Sequence, residues 1–251
     1  MARQKGIIPL KGTIGNITFY KSADGFLARE KGGVDKKRIA SDPAFQRTRE
    51  NGAEFGRAGL AGKVLRNALR ALLQNVSDKR MVSRLTRDMM KVIQADTVNA
   101  RGLRNVIDGE AELLEGFEFN ENSKLGTTLY APFTATINRV TGELTANIPA
   151  FVPSNMVAAP AGSSHFKITS AGVEIDFENE ISVSQVHSTA ELPWNAVATA
   201  IINLVNAVTA NSTHPLFLVL GIEFFQVVNG VMYPLKNGTF NSLAVVKVSG
   251  V

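Results

Sequence analysis

The pattern that most constrains the fold is a predicted β-hairpin late in the sequence. Residues 216–228 are mostly apolar, Asn229-Gly230 follows, and residues 231–235 are apolar again. An Asn-Gly pair between two apolar runs favours the tight turn of a hairpin, because both residues tolerate positive φ. Further alternating segments predict short strands at residues 134–140, 143–148, 165–168, 173–177, 181–186 and 242–248. Strands at this spacing, separated by Gly, Asn and Pro, predict an antiparallel sandwich.

The part of the chain before this β-rich half has the spacing of helices. Ser41-Asp42-Pro43 is typical of a helix start, because Asp caps free N–H groups and Pro is tolerated in the first turn. An apolar stripe at helical spacing follows over residues 64–76, and Ser77-Asp78 begins a further amphipathic segment. Residues 103–115 form a third segment, which is shorter and acidic. We therefore expect residues 43–115 to form a layer of about three helices.

A second predicted hairpin lies near the start of the sequence, well before the β-rich half. Ile17, Phe19 and Lys21 have the period-2 spacing of a strand. Ser22-Ala23-Asp24-Gly25 supplies a turn in which Gly25 is free to adopt positive φ, and the chain then returns from Phe26. Because an isolated hairpin is marginal in water, this one needs a further surface to pack on.

Together these segments predict an α+β fold with three domains. An N-terminal β-hairpin arm and a basic linker occupy residues 1–40, a helical region occupies residues 41–116, and a C-terminal antiparallel β-sandwich occupies residues 117–251. Residues 196–208 fit either a strand or a helix that crosses one end of the sandwich, and the sequence leaves both alternatives open.

Charge is distributed unevenly along the chain, although its net value is only +5. Residues 1–106 contain 22 Lys and Arg against 9 Asp and Glu, a net charge of +13, whereas residues 107–251 contain 5 against 13, a net charge of −8. Such asymmetry favours a polyanionic partner, or a basic surface that meets an acidic one. The alternative is two surfaces that are solvated separately.

Several chemistries are excluded by the residues present. The chain contains no cysteine, which removes disulfides, thiolate nucleophiles and cysteine-based zinc or iron–sulfur sites. The glycine-rich residues 56–64 fail as a phosphate loop, because Arg57 stands where the first glycine is required. His165, His187 and His214 lack metal-ligand spacing. We therefore predict no catalytic, cofactor or metal site, no small-molecule substrate and no enzymatic activity.

One acidic run needs separate consideration. Glu174, Asp176, Glu178 and Glu180 alternate along one predicted strand or two. Carboxylates on a shared face have the geometry to hold a hard cation such as calcium. A solvated face that protects a sheet edge explains the same spacing, and we favour this second interpretation.

No targeting or membrane segment is predicted. The N-terminus carries positive charge but lacks the apolar core of a signal peptide. No window approaches the roughly 18–20 apolar residues that a membrane-spanning helix needs. We therefore expect a protein without a signal peptide that is cytoplasmic or associated with a particle.

Two stretches carry a family resemblance. The first is GTIGNITFY at residues 12–20, followed by a turn and Arg29-Glu30-Lys31. The second comprises Ser41-Asp42-Pro43, Gln46, Arg47 and Phe55. Together they resemble the opening of a group of uncharacterised bacterial proteins, mostly from Bacteroidota. The resemblance implies the architecture above and a bacterial or phage origin, and it supplies no activity and no site.

The favoured function is that of a non-enzymatic structural protein. Such a homo-oligomer assembles into a ring, filament or particle when a hairpin adds to the sheet edge of a neighbouring subunit and a basic surface meets an acidic one. The predicted assembly interface consists of Ile17, Phe19, Tyr20, Phe26 and Arg29.

The alternative function is nucleic-acid binding by the basic helices, whose cations would neutralise phosphates. The candidate phosphate contacts are Arg66, Arg70, Arg80, Arg84, Arg87 and Lys91. The region has few aromatic residues to stack bases and no recognised DNA-binding motif, so we favour assembly. An enzyme or a sugar-binding sandwich is a third alternative, whose site the sequence does not display.

Overall fold

The structure is a computed structural model that describes residues 2–6, 8–30, 32–235 and 238–250. Lys31, part of the N-terminal motif, lies outside the described residues. The chain divides into two compact units, Met1–Arg49 and Glu50–Val251. The boundary between them falls inside a helix.

The first unit contains a four-stranded antiparallel sheet built around the predicted hairpin. Its strands are β1 (Ala2–Arg3), β2 (Gly12–Ile14), β3 (Ile17–Ser22) and β4 (Gly25–Glu30), in the order β1-β4-β3-β2. The hairpin is confirmed, and Gly25 adopts a φ of +103° at its turn. The sequence did not predict the two short flanking strands. Gln4 holds them in place, because its side chain donates to Leu27 O and accepts from Leu10 N.

Helix α1 (Lys36–Ser41) and a 3₁₀ turn (Pro43–Phe45) follow the sheet. The predicted helix start is confirmed, since the Asp42 carboxylate accepts the Ala44 N–H and Pro43 occupies the first turn. The predicted basic linker contains this short helix, which Asp35 caps ahead of Lys36 and Lys37.

The next helices are α2 (Gln46–Ala68), α3 (Arg70–Leu73), α4 (Met81–Gln94), α5 (Leu125–Thr128) and α6 (Pro153–Met156). Residues 43–115 are mainly helical, as predicted, and α2 runs without a break through Gly52, Gly56 and Gly59. The predicted helix at residues 103–115 is wrong except for one 3₁₀ turn, Ala111–Leu114.

The remaining strands are β5 (Thr134–Asn138), β6 (Glu143–Ile148), β7 (His165–Asp176), β8 (Ile181–Ser188), β9 (Leu192–Pro193), β10 (Ile202–Ala207), β11 (Leu216–Val228), β12 (Val231–Pro234) and β13 (Ser242–Ser249). The ambiguous residues 196–208 contain the strand β10 and not a helix. Two predicted strands, residues 165–168 and 173–177, belong to the single twelve-residue strand β7.

These strands form two antiparallel sheets. One sheet has three strands in the order β10-β6-β5, and the other has six, in which β11 pairs with β7 on one side and with β12 and β13 on the other. Strand β8 pairs with the far side of β7. The Asn229-Gly230 turn joins β11 to β12 with a positive φ at both residues, as predicted.

The central strands β7, β11 and β13 of the six-stranded sheet are buried on both faces over most of their length. Leu65 and Met89 of the helices pack in one apolar cluster with Val173 and Phe217 of the sheet. The second cluster lies between the two sheets and includes Leu144, Leu204, Leu218 and Ile222. The two sheets therefore form the predicted sandwich, and the helices form a third layer on one outer face.

Candidate assembly and phosphate-contact surfaces

The predicted assembly residues divide between the two faces of the N-terminal sheet. Cross-strand partners share a face, and the register pairs Ile17 with Ile14, and Phe19 with Ala28. Phe26 lies on this same face, beneath the Lys21 ammonium. Tyr20 and Arg29 lie on the opposite face, where the guanidinium is 5.5 Å from the ring centroid. The structure therefore brings three of the five residues together and separates the other two.

The first unit buries very little apolar surface. Leu27 is its one buried apolar side chain among the described residues, whereas Ile14 is 64% exposed and Ile17 is 46% exposed. Ile8, Leu10 and Val34 are exposed as well. Ile14 was not among the predicted interface residues, although its pairing with Ile17 makes it part of the same apolar face. The unit therefore presents an apolar face without a core beneath it.

The six candidate phosphate contacts differ in how free their charges are. Arg66 bonds back to Gly62 O of its own helix, and Arg87 and Lys91 both pair with Asp88. Arg70 and Arg80 are exposed, and no ion pair joins them to a described acidic side chain. Of the six candidates, these two arginines have the charges most available to a phosphate.

Arg84 has a structural role in the second unit. Its Nη2 lies 2.5 Å from Asp78 Oδ2, and its Nε lies 3.5 Å from a Glu121 carboxylate oxygen, near enough for an ion pair but without a hydrogen bond. The guanidinium also stands 5.1 Å from the ring centroid of Phe117. Burial raises the pKa of Asp78, but hydrogen bonds from Arg80 N–H, Arg84 and Glu121 N–H outweigh it and hold that pKa below its ordinary value.

The acidic run does not converge on one point. Glu174 is buried between the sheets, where its carboxylate accepts from Ser212 Oγ at 2.6 Å and from Thr209 N at 3.1 Å. Burial raises the pKa of Glu174, and these hydrogen bonds lower it further than burial raises it. Asp176 instead accepts the N–H groups of Glu178 and Asn179 in the turn before β8. Among the described residues, no group of three or more His, Asp or Glu side chains is placed to hold a metal ion.

An open groove of about 510 Å³ lies in the second unit, between α2, residues 103–108 and the end of β7. Its apolar lining includes Leu60, Leu103 and Ile107, each of which is exposed. Arg57 shapes the groove by donating to Gly102 O at 2.7 Å and to Arg104 O at 3.0 Å. The polar lining of the groove consists of Arg57, Asn105, Asp108 and Glu178.

Two buried carboxylates hold the loop beside the groove, Glu54, which accepts Gly102 N–H at 2.8 Å, and Asp96. Asp96 accepts the N–H groups of Val98, Asn99 and Asn105 and the Asn99 side-chain amide. Burial raises its pKa, but these four hydrogen bonds outweigh that effect and lower the pKa to about 2. Asp96 is therefore ionised in the folded protein at neutral pH and acts as a structural anchor.

Comparison of the chain with protein-family models, with curated proteins and with solved structures gave no match. In the part of the chain that the structure describes, no helix is long and apolar enough to cross a membrane. Function is therefore inferred from the geometry and charge of the described surfaces alone.

Proposed function

We propose that this chain is a non-enzymatic structural protein that assembles into a homo-oligomer through its N-terminal unit. The observation that carries the proposal is the exposed apolar face of the N-terminal sheet, which contains Ile14 and Ile17. A four-stranded sheet with one buried apolar side chain gains little stability by itself, so a further surface is needed to cover it.

Charge supports the same proposal. The first unit, residues 1–49, contains 11 Lys and Arg against 4 Asp and Glu, a net charge of +7. Residues 107–251 carry a net charge of −8. A basic unit on one copy and an acidic surface on the next give the electrostatic complementarity of a head-to-tail contact, which closes into a ring or continues as a filament.

Removal of the arm tests this proposal. We expect deletion of residues 1–33 to convert an oligomer into monomers, because each buried aromatic or aliphatic side chain at the contact contributes roughly 1.5–3 kcal/mol. Light scattering at micromolar concentration measures the mass, and circular dichroism checks that the truncated chain stays folded. If the full-length protein is itself a monomer, or if both proteins form the same oligomer, the proposal is wrong.

Nucleic-acid binding is the second candidate, and the exposed side chains of Arg70 and Arg80 favour it. Each phosphate contact that is lost reduces the salt dependence of binding by about one unit of slope. We therefore expect the double variant Arg70→Glu/Arg80→Glu to bind DNA more weakly and with a flatter salt dependence. Gel-shift titrations at two salt concentrations measure both effects. No shift of DNA by the wild-type protein at low salt would remove this candidate.

A further inference from the structure

The two long edges of the six-stranded sheet are protected to different degrees. On one side, residues 116–119 cover β13, because Gly116 N–H donates to Val245 O and Phe119 N–H donates to Leu243 O, both at 2.8 Å. The strand beside it, β12, has only four residues and ends at Pro234. Covering segments, short strands and proline all prevent an edge from pairing with another chain.

Strand β8 forms the opposite edge and has none of these features. Its eight residues, ISVSQVHS, include no Lys, Arg, Asp, Glu or Pro. It pairs with β7 in regular register from Ile181 to Ser188, without a bulge. No backbone hydrogen bond joins it to any other described segment. Strand β10 approaches β8 through the hydrogen bond from Ala207 N–H to the Gln185 side chain, but among the described residues no strand pairs with the backbone of the outer side of β8.

The side chains of β8 are also exposed. Val183 is 45% exposed and Ile181 is exposed too. Gln185 is the one half-buried residue of the strand, at the point where its side chain accepts a hydrogen bond from Ala207 N–H. An uncharged, exposed edge of this length is a template for a strand from another chain.

Charge beside the edge indicates what kind of strand fits. The turn that leads into β8 contains Asp176, Glu178 and Glu180, and none of these makes an ion pair with a described Lys or Arg. The N-terminal unit offers the opposite charge, a net +7 over residues 1–49. Its own edge strand, β2, ends at Ile14, whose apolar side chain matches those of Ile181 and Val183.

We infer that β8 is the edge to which the N-terminal sheet of a second copy of this chain adds, with β2 of one copy beside residues 181–184 of the next. The basic residues of that copy then lie near the acidic turn before β8. This inference rests on the proposed function and identifies the surface that receives the arm. It also accounts for an uncharged strand of eight residues at the edge of an otherwise protected sheet.

Cross-linking between two differently tagged copies tests the contact directly. The natural chain has no cysteine, so single cysteines introduced into it react without background. We expect an Ile14→Cys copy mixed with a Val183→Cys copy to give a cross-linked dimer with a short bismaleimide. Val231→Cys on β12 is the matched control, because Val231 is 50% exposed on the opposite edge of the same sheet. Equal cross-linking to Val231→Cys, or none to Val183→Cys, would overturn the inference.

A pair of charge variants separates this inference from the proposed function. We expect Val183→Lys to raise the dissociation constant of the oligomer about tenfold or more, because an apolar contact is lost and a charge is placed at the edge. Ile14→Lys should have a similar effect, and Val231→Lys should have none. If Ile14→Lys fails to assemble but Val183→Lys assembles normally, β8 is not the acceptor edge, whereas assembly through the N-terminal unit remains supported. Normal assembly of both Ile14→Lys and Val183→Lys would contradict the β8 inference and the proposed assembly through the N-terminal unit. Circular dichroism of each variant checks that it is folded.

Discussion

The N-terminal sheet and the six-stranded sheet are both antiparallel and both contain a hairpin with a glycine turn, but they differ in what surrounds them. The N-terminal sheet has four strands and one buried apolar side chain, Leu27, among the described residues of its unit. The six-stranded sheet lies between helices on one face and a second sheet on the other. Strand pairing and burial are therefore separate properties. Alternation and turn residues determine the strands, whereas the stability of a sheet depends on the layers packed against it.

The test with the largest expected effect compares the substitution of two phenylalanines, one in each sheet. Phe217 of β11 is fully buried and makes an edge-to-face contact with Phe177, whereas Phe19 of β3 is half-buried. We expect Phe217→Ala to lower the free energy of unfolding by about 3–5 kcal/mol, because it leaves a cavity in a close-packed core. Phe19→Ala should lower it by about 1 kcal/mol or less.

Urea denaturation of both variants is followed by circular dichroism, which reports on the strands of both units, and by the fluorescence of Trp194, the single tryptophan of the chain, which reports on the second unit. If Phe217→Ala and Phe19→Ala lowered the free energy of unfolding equally, the N-terminal sheet would have a core comparable to that of the sandwich.

The second test compares two arginines that each stand over an aromatic ring. Arg84 is 14% exposed and paired with Asp78, whereas Arg29 is exposed above Tyr20. We expect Arg84→Ala to lower the free energy of unfolding by on the order of 2 kcal/mol, because it removes a charged hydrogen bond and leaves the Asp78 carboxylate without its ion-pair partner. Arg29→Ala should change stability by less than about 0.5 kcal/mol.

Thermal or urea unfolding of both variants measures the difference. Arg87→Ala, on the same helix as Arg84 but with a side chain 65% exposed, is the matched control and should behave like Arg29→Ala. If Arg87→Ala lowered the free energy of unfolding as much as Arg84→Ala, the structural role of Arg84 would be contradicted.

The test with the smallest expected effect follows stability as a function of pH and concerns the second unit alone. The pKa of Asp96 is about 2 in the folded protein, below its ordinary value of 3.8. The stabilisation that it gives is complete above its ordinary value and is lost as the pH falls through about 2. We expect Asp96→Asn to lower the free energy of unfolding by about 1–2 kcal/mol at neutral pH. Each carboxylate oxygen of Asp96 accepts two N–H groups, and an amide NH₂ in place of one oxygen cannot accept them.

The difference between Asp96→Asn and the wild type should narrow as the pH is lowered from about 4 to about 2. Denaturation curves at several pH values measure this convergence. A constant difference across that range would show that the carboxylate of Asp96 does not hold the loop through its charge.

Local chemistry allowed a large part of the fold to be predicted. Asn229 and Gly230 have φ values of 51° and 79°, which is the requirement that made this pair a hairpin signal. Asp42 caps the 3₁₀ turn through a bond to Ala44 N, two residues away. Each of these features depends on neighbours in the sequence, so the sequence was sufficient to find it.

Features that depend on distant parts of the chain were missed. Residues 103–110 have the composition of a helix, yet Arg57 and Asp96 bind their backbone groups and hold them as a loop. Gly172 stands between two predicted strands, but it lies inside β7, where an added Cβ would stand 2.7 Å from Asn206 Cβ. Its missing side chain allows the two sheets to approach each other.

The assembly surface could be predicted only in part, for the same reason. Alternation identified Ile17 and Phe19, whereas Tyr20 was included because its aromatic ring would otherwise be left uncovered, and the register puts Tyr20 on the other face of the sheet. Ile14 joins the apolar face through pairing with a strand that the sequence pattern did not reveal. The exposed edge of β8 depends on the absence, among the described residues, of a second strand paired with its backbone, which a sequence pattern alone does not indicate.

The cluster that joins the helices to the six-stranded sheet affects the order of folding. Leu65 and Met89 come early in the chain, whereas the side chains that cover them, Val173, Phe217 and Val245, come much later. During synthesis at the ribosome, the helices therefore emerge long before their partners, and contacts of such large sequence separation form slowly. The N-terminal hairpin depends on contacts between near neighbours and forms first. A nascent chain of this protein thus displays uncovered apolar helices while the strands that cover them are still being synthesised, and this is the interval in which a chaperone has most to protect.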